Sequence, residues 1–585
     1  MTSTIIRSPY PEVTIPDLSL PGFVFADAAK HAAKPALIDG PSGRAITYRE
    51  LVGCARLVAG GLAARGFQPG EVFATYCPNL PEYAVAFYGV LLAGGTNTTI
   101  NPLYTVEELA AQLTDAGASH LLTIPPFLDK AVEAAGRSGV REVFVLGEAA
   151  GATPFAALLA SGRQPPEVTI DPHRDLAVLP YSSGTTGLPK GVMLSHRNLV
   201  ANLCQLQPVV EIAGEEVGIA VLPFFHIYGL TVLMAAALWR GATLVTMPRF
   251  DLEQFLTILQ NYRVSRAAVV PPVLLALAKH PLVDRFDLSA LTSLSSGAAP
   301  LDAELEEACG KRLRCSVGQG YGLTETSPVL TTQPADEARI RHGSAGQLVP
   351  NTEAKVVDPA TGEALGRNQD GELCFRGPQV MRGYLNRPAE TAQMLDPDGW
   401  LHSGDIGHVD DDGYFYVVDR VKELIKYKGL QIAPGRAGGR ADLAPDDRRR
   451  RRGAGARRGG GGGPQGVRGR HRRAVGPGSH GPRRRARGAL QEAPPRRVHR
   501  RDPQVAVGQD PPPRADGARP AGGDVEASAA TKPPTRRRMA TGSHTAETAR
   551  RGDVERCRAC RRSTPTSTST RSTRAPAPAT VTWST

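Results

Sequence analysis

A ten-residue run, Ser182-Ser183-Gly184-Thr185-Thr186-Gly187-Leu188-Pro189-Lys190-Gly191, gathers four hydroxyls, three glycines and one lysine. Glycines let a backbone turn tightly and bring its N–H groups close to a ligand. Hydroxyls add donors, and the lysine adds a compact positive charge. These are the groups a polyphosphate needs. The run is not a Walker A loop, because it contains no Gly-x-x-x-x-Gly-Lys-Ser/Thr. Standing alone, the same composition also describes an ordinary surface turn. Four later stretches carry further reactive groups: Phe224-Phe225-His226-Ile227-Tyr228-Gly229, Gly320-Tyr321-Gly322-Leu323-Thr324-Glu325, Trp400-Leu401-His402-Ser403-Gly404-Asp405, and Asp419-Arg420-Val421-Lys422-Glu423-Leu424-Ile425-Lys426-Tyr427-Lys428-Gly429.

Such groups need rigid elements to hold them. Residues 48–65 read as an amphipathic helix and residues 83–93 as another. The apolar stretch 176–181 reads as a strand that delivers the hydroxyl-rich run, and Ser195 can cap a helix running through Asn202. Apolar runs at 220–223, 242–247 and 267–270, each bounded by turns, suit buried parallel strands or short buried helices. Helices between such strands predict an α/β fold of stacked layers. Between 343 and 418 the pattern changes to alternation with Gly/Asp turns, which predicts a smaller β-rich subdomain.

A length of 585 residues allows several domains and a large core. The net charge of +12 is unevenly placed: residues 435–585 hold 35 Lys and Arg against 12 Asp and Glu. Residues 1–434 are mildly acidic. Six of the eight cysteines, Cys54, Cys77, Cys204, Cys309, Cys315 and Cys374, have spacings that match no metal site or disulfide framework, so reduced thiols in a cytoplasmic protein are expected. Cys557 and Cys560 form a lone C-x-x-C. Residues 1–25 carry four prolines and no long apolar run, unlike a signal peptide or a membrane span.

Taken in order and spacing, the five stretches resemble the AMP-forming acyl-CoA synthetases, and within them the 4-coumarate–CoA ligase subgroup, over residues 5–434. The resemblance implies a large N-terminal adenylation domain over 1–420, and a hinge with the start of a C-terminal domain over 421–434. It also implies two half-reactions. A carboxylate attacks the α-phosphate of Mg-ATP to give an acyl-adenylate and pyrophosphate, and the thiol of coenzyme A then displaces AMP. By resemblance, Ser182, Ser183, Gly184, Thr185, Thr186 and Lys190 hold the pyrophosphate side of ATP. Thr324 and Glu325 hold the α-phosphate and Mg²⁺, glutamate being a suitable ligand for a hard cation. Asp405 and Arg420 contact the ribose. His226 and Tyr228 line the acyl pocket with Val232, Gly297, Ala298, Pro328, Val329 and Thr332, while Gln319 and Gly320 face the adenylate. Lys422, Lys426 and Gln431 resemble AMP-facing residues; Lys428, Gly429 and Arg249 resemble coenzyme A contacts. Val232 stands where several plant hydroxycinnamate ligases carry a serine, which removes help for a para-hydroxyl. A hydroxycinnamate-like acid is the expected substrate, with a medium-chain fatty acid or another aryl acid second. A luciferase-like oxygenase acting on the same adenylate is a further reading.

The tail breaks this pattern. Residues 435–585 contain two leucines and no isoleucine, phenylalanine or tyrosine. Such a composition buries too little apolar surface to offset chain entropy and predicts disorder. The family's small C-terminal domain, which carries its adenylation lysine in a Pro-Lys-Ser-Pro-Ser-Gly-Lys-like motif, is absent as written. Dropping the first base of each codon over 503–513 permits Pro-Lys-Ser-Pro-Ser-Gly-Lys-Ile-Leu-Arg-Arg. The same shift over 491–502 permits Lys-Lys-Leu-Arg-Arg-Val-Glu-Phe-Ile-Asp-Ala-Ile. The tail thus reads as that domain displaced by an extra base near codon 435. A basic, nucleic-acid-binding tail is the rival; Trp583 is its one aromatic and no recognisable module is present. With the lysine absent, a nucleotide-binding protein without catalysis is the third expectation.

Overall fold

The computed structural model describes residues 5–182 and 189–420, and the backbone of 425–427 and 430–432. Ser183, Gly184, Thr185, Thr186, Lys422, Lys428, Gly429 and the tail 435–585 lie outside the described residues. Lys426 and Gln431 are described only as backbone, in the paired strands Ile425–Tyr427 and Leu430–Ile432.

Two sheets with parallel centres carry the body of the fold. In one, Leu176–Ser182, Thr96–Thr99, Val72–Thr75, Ala118–Thr123, Glu142–Val145 and Thr153–Pro154 lie side by side in parallel. Lys190–Gly191 and Leu194–Ser195 fold back antiparallel onto Leu176–Ser182. In the other, Ser316–Gly322, Ser293–Ser296, Arg266–Val269, Val217–Ala220, Thr243–Thr246 and Pro35–Asp39 are parallel neighbours, closed by antiparallel strands at both edges. The α/β expectation therefore holds, and the short apolar runs are strands rather than helices.

One run is displaced. Its strand is Val217–Ala220, and residues 221–223 leave the sheet. The buried Asn79 explains the exit: its Nδ2 donates to the carbonyls of Ala220 (2.9 Å) and Leu222 (2.7 Å), and its Oδ1 accepts from Phe224 N–H (2.7 Å). A side-chain amide takes over the backbone groups that a ladder would otherwise satisfy.

The helix Tyr48–Ala64 starts at Thr47, whose hydroxyl and the Glu50 carboxylate form a capping box. The helix expected over 83–93 is Pro81–Leu92, and it is not amphipathic: only Glu82 and Leu92 escape burial. It is packed on several sides, and a Cβ at Gly89 would stand 2.5 Å from Val58 Cγ1 of the helix Tyr48–Ala64. Ser195 caps His196–Val210 with Asn198 as its reciprocal partner, so that helix runs past Asn202.

The β-rich region is a five-stranded antiparallel sheet in the order Ile6–Arg7, Glu353–Val357, Gly371–Arg376, Leu401–Val409 and Phe415–Arg420. Leu373, Phe375, Val409 and Phe415 form its apolar face. The edge strand Ile6–Arg7 comes from the start of the chain, which the pattern over 343–418 did not announce. Of the six cysteines expected as reduced thiols, Cys77, Cys204, Cys309, Cys315 and Cys374 are free, whereas Cys54 is disulfide-bonded, against that expectation. Among the described residues no helix is long and apolar enough to cross a membrane.

Candidate active site

The chemistry-bearing residues cluster where parallel strands end. Leu176–Ser182 ends at the hydroxyl-rich run, Val217–Ala220 leads to His226, Ser293–Ser296 to Gly297 and Ala298, and Ser316–Gly322 to Thr324 and Glu325. Ligands of open α/β sheets lie outside the carboxyl ends of strands.

Ser182 and Lys190 are cross-strand partners on either side of 183–188. Ser182 Oγ donates to Glu325 Oε1 at 2.7 Å, and Tyr384 O–H donates to the same oxygen at 2.7 Å. Lys190 Nζ lies 4.9 Å from the centre of the Tyr384 ring. Lys190 and Glu325 are 5% and 4% exposed, so neither is a solvated surface charge. Residues 382–385 bring Tyr384 here by pairing with 191–193: Met193 N–H donates to Gly383, Arg382 N–H to Met193 and Leu385 N–H to Gly191. Burial, reinforced by the Glu325 charge, pushes the Tyr384 phenol above its ordinary range. It therefore remains a donor. The turn carrying Glu325 is pressed against its own strand, since a Cβ at Gly322 would stand 2.0 Å from the Pro328 carbonyl.

Asp405, 7% exposed, accepts a hydrogen bond from Tyr321 O–H at 2.7 Å. Arg420 Nε lies 3.4 Å from its other oxygen, and the two residues are also cross-strand partners. Burial raises the Asp405 carboxyl, and repulsion from Glu325 and Glu372 adds to it; Tyr321 and Arg420 pull the other way. Tyr321 and Glu325 leave the same strand end, so the two carboxylate clusters adjoin.

His226 keeps solvent access although it sits deep in the molecule, and that depth pushes its imidazole below the ordinary range. Its Nδ1 accepts from Tyr228 N–H at 3.3 Å. A single π-helical stretch, Tyr228–Ala235, follows and carries Tyr228 and Val232; such turns recur at functional sites. The ring of Tyr228 lies over Gly297, where a Cβ would approach within 3.0 Å. Ala298 holds φ +68°, a left-handed backbone that non-glycine residues seldom adopt. Gly320 and Thr332 are cross-strand partners, as are Gly322 and Val329. The buried Asn202 holds Val329 through both its N–H and its carbonyl.

Two further expected positions are Gln319 and Arg249. The Gln319 amide is occupied within the fold: its Nε2 donates to Leu301 O (3.2 Å) and Glu306 Oε2 (3.3 Å), and its Oε1 accepts from Leu301 N–H (3.4 Å). Arg249 is exposed beyond the strand Thr243–Thr246. Sequence reading passed over Tyr384, Asn79, Asn202 and Glu372. Tyr384 lies 59 residues from Glu325 and Asn202 lies 127 from Val329. Only the folded chain makes them neighbours.

Hard oxygen donors meet where Ser182 Oγ reaches the Glu325 carboxylate, and such donors fit Mg²⁺. The AMP-binding enzyme family matches residues 24–385. The chain is 43% identical over 440 residues to 4-coumarate--CoA ligase 5 of Oryza sativa subsp. japonica, covering 74% of this chain and 81% of that one. It resembles the solved structures of a long-chain-fatty-acid–CoA ligase from Archaeoglobus fulgidus (TM-score 0.66, 27% identity, 70% of this chain and 86% of that one) and of ATP-bound MatB from Rhodopseudomonas palustris (TM-score 0.65, 30% identity, 73% and 84%). A family match over more than half of the chain, together with that level of identity, places the chain in the AMP-binding enzyme family, among the AMP-forming acyl-CoA synthetases.

Proposed function

We propose that this protein activates a carboxylic acid with ATP, forming an acyl-adenylate and pyrophosphate, and then passes the acyl group to coenzyme A with release of AMP. The observation that supports this most directly is the buried Glu325 carboxylate, joined by Ser182 and Tyr384, with the buried Lys190 over the Tyr384 ring. Phosphoryl chemistry of this kind needs positioning and charge neutralisation more than covalent help. Residues 182–186 and Lys190 hold the pyrophosphate side, Thr324 and Glu325 hold the α-phosphate, and Asp405 with Arg420 holds the ribose. Mg²⁺ at Glu325 would supply charge neutralisation at the phosphates. His226, Tyr228, Val232, Gly297, Ala298, Pro328, Val329 and Thr332 enclose the acyl group, and Gly320 borders the adenylate. Gln319 keeps its neighbour's backbone in place. Lys422, Lys426 and Gln431 face AMP; Arg249, Lys428 and Gly429 face coenzyme A.

The proposed substrate is a hydroxycinnamate-like acid, a reading drawn from the 4-coumarate–CoA ligase relatives. The free thiols fit a reducing, cytoplasmic setting. Residues 1–420 are the adenylation domain, 421–434 its hinge, and 435–585 a displaced reading frame that lacks the adenylation lysine. The chain as written therefore binds ATP but releases pyrophosphate far more slowly than intact relatives. Calorimetry of the full chain with Mg-ATP, beside a pyrophosphate-release assay with 4-coumarate, tests both statements. No affinity for ATP overturns the function, and a rate matching intact relatives overturns the account of the tail. Restoring the frame near codon 435 is expected to bring back thioester formation.

A further inference from the structure

The strand pair Gly371–Arg376 and Leu401–Val409 is irregular at one place. Glu372 pairs with Ile406 and Cys374 with His402, so residues 403–405 oppose Leu373 alone. This is a bulge, a device that re-aims a side chain at the cost of ladder hydrogen bonds. Gly404 sits at its tip with φ +71°, a conformation glycine adopts without strain. Asp405 N–H donates to Ser403 Oγ at 3.0 Å, and Gly404 N–H turns back to Glu372 Oε1 at 3.0 Å. The other Glu372 oxygen lies 3.1 Å from His402 Nδ1, and Cys374 Sγ lies 3.4 Å from the same nitrogen. Glu372, Cys374 and His402 are close enough to share a cation. Their separations are also those of an ion pair beside a thiol, and the His402 imidazole is held to about 10 by its bonds to Cys374 and Glu372.

We propose that Glu372 is a positioning residue for nucleotide binding: its carboxylate pins the Ser403–Asp405 bulge through Gly404 N–H, and so fixes the Asp405 carboxylate against the ribose hydroxyls. The inference rests on the reading of Asp405 as the ribose contact. A carboxylate bond to a backbone N–H in a half-buried place is among the stronger protein hydrogen bonds. Without it, Asp405 keeps its bonds to Tyr321, Arg420 and Ser403, but the bulge that carries it loses its anchor to the facing strand.

The test measures affinity of the full chain for ATP and for ATP lacking both ribose hydroxyls, by calorimetry, in wild type, Glu372→Ala, Glu372→Gln and Asp405→Ala. Glu372→Ala is expected to weaken ATP about tenfold, the loss of one hydrogen bond to a charged group. It should leave the hydroxyl-free nucleotide within about twofold, because there the positioned carboxylate has nothing to grip. Glu372→Gln keeps an acceptor for Gly404 N–H and should recover most of the loss, which also covers a failure of the alanine variant to fold. Equal weakening of both nucleotides, or no weakening, overturns the proposal. If Asp405→Ala itself fails to distinguish the two nucleotides, the ribose reading falls, and this inference with it.

Discussion

The two sides of the candidate site leave neighbouring strand ends and are built on opposite terms. The nucleotide side is charged and buried, with Lys190, Glu325 and Asp405 all under 9% exposed. Lys190 Nζ faces the Tyr384 ring, Glu325 Oε1 the Ser182 and Tyr384 hydroxyls, and the Asp405 oxygens the Tyr321 hydroxyl and the Arg420 guanidinium. The acyl side contains His226 and Tyr228, whose environment favours their neutral forms: burial pulls the imidazole down and lifts the phenol to about 12. Its space comes from Gly297, which has no side chain to meet the Tyr228 ring. A buried charge persists only where it is paired, so the first side can be altered only at high cost. The second is shaped by volume, which substitutions change more gently.

The sharpest break in that contrast is Glu325→Ala. It removes the acceptor of both Ser182 and Tyr384 and leaves their hydroxyls without the carboxylate they donate to. ATP affinity, read by calorimetry, is expected to fall about a hundredfold, since the carboxylate that would hold Mg²⁺ at the phosphates is lost. Affinity for the organic acid alone should change by less than about twofold. An equal loss for both ligands would mean that the two sides are not separate.

The converse variant is Gly297→Leu. Its Cβ would start 3.0 Å from the Tyr228 ring, so the ring must move and the pocket shortens. The acid is expected to bind about tenfold more weakly while ATP binding holds, since pocket volume is worth about 1–3 kcal/mol for changes of this size. A smaller, opposite effect belongs to Val232→Ser. A hydroxyl there should improve binding of an acid with a para-hydroxyl about fivefold relative to the same acid without it, measured as a ratio of dissociation constants.

What the sequence made legible follows the same division. The strands were readable because parallel strands buried on both faces are short continuous apolar runs, as at 267–270. The strand Thr96–Thr99 was not, because its four residues are polar. All four are buried, with Thr96, Thr98 and Thr99 donating to the Leu176, Leu179 and Phe225 carbonyls and Asn97 to the Phe87 carbonyl. Periodicity sees apolar side chains, not hydrogen bonds to a neighbouring backbone. The charged site residues were named from their motifs, but their partners were not. Tyr384 and Glu372 bring Glu325 and Asp405 into place from separate segments, and no local spacing encodes that.

The effect most specific to one side, read in stability rather than affinity, concerns the two histidines. His226 sits on the acyl side with its imidazole depressed by burial. His402 lies behind the nucleotide side with its imidazole held to about 10 by Cys374 and Glu372, from an ordinary value of 6.5. Asp396 faces its second nitrogen at 3.7 Å, and Lys355 lies 3.7 Å from the same Asp396 oxygen. Raising a folded pKa means that the protonated form binds its partners in the native state. The stabilisation is complete below the unfolded value, declines from about pH 6.5 upward and is gone above about pH 10. His402→Gln should therefore lower the melting temperature most at pH 6, and the gap to wild type should close as the pH approaches 10. Thermal melts of both proteins across that range check this. A gap that is constant with pH would mean that His402 only fills space, and that the charged network behind Asp405 ends at Glu372.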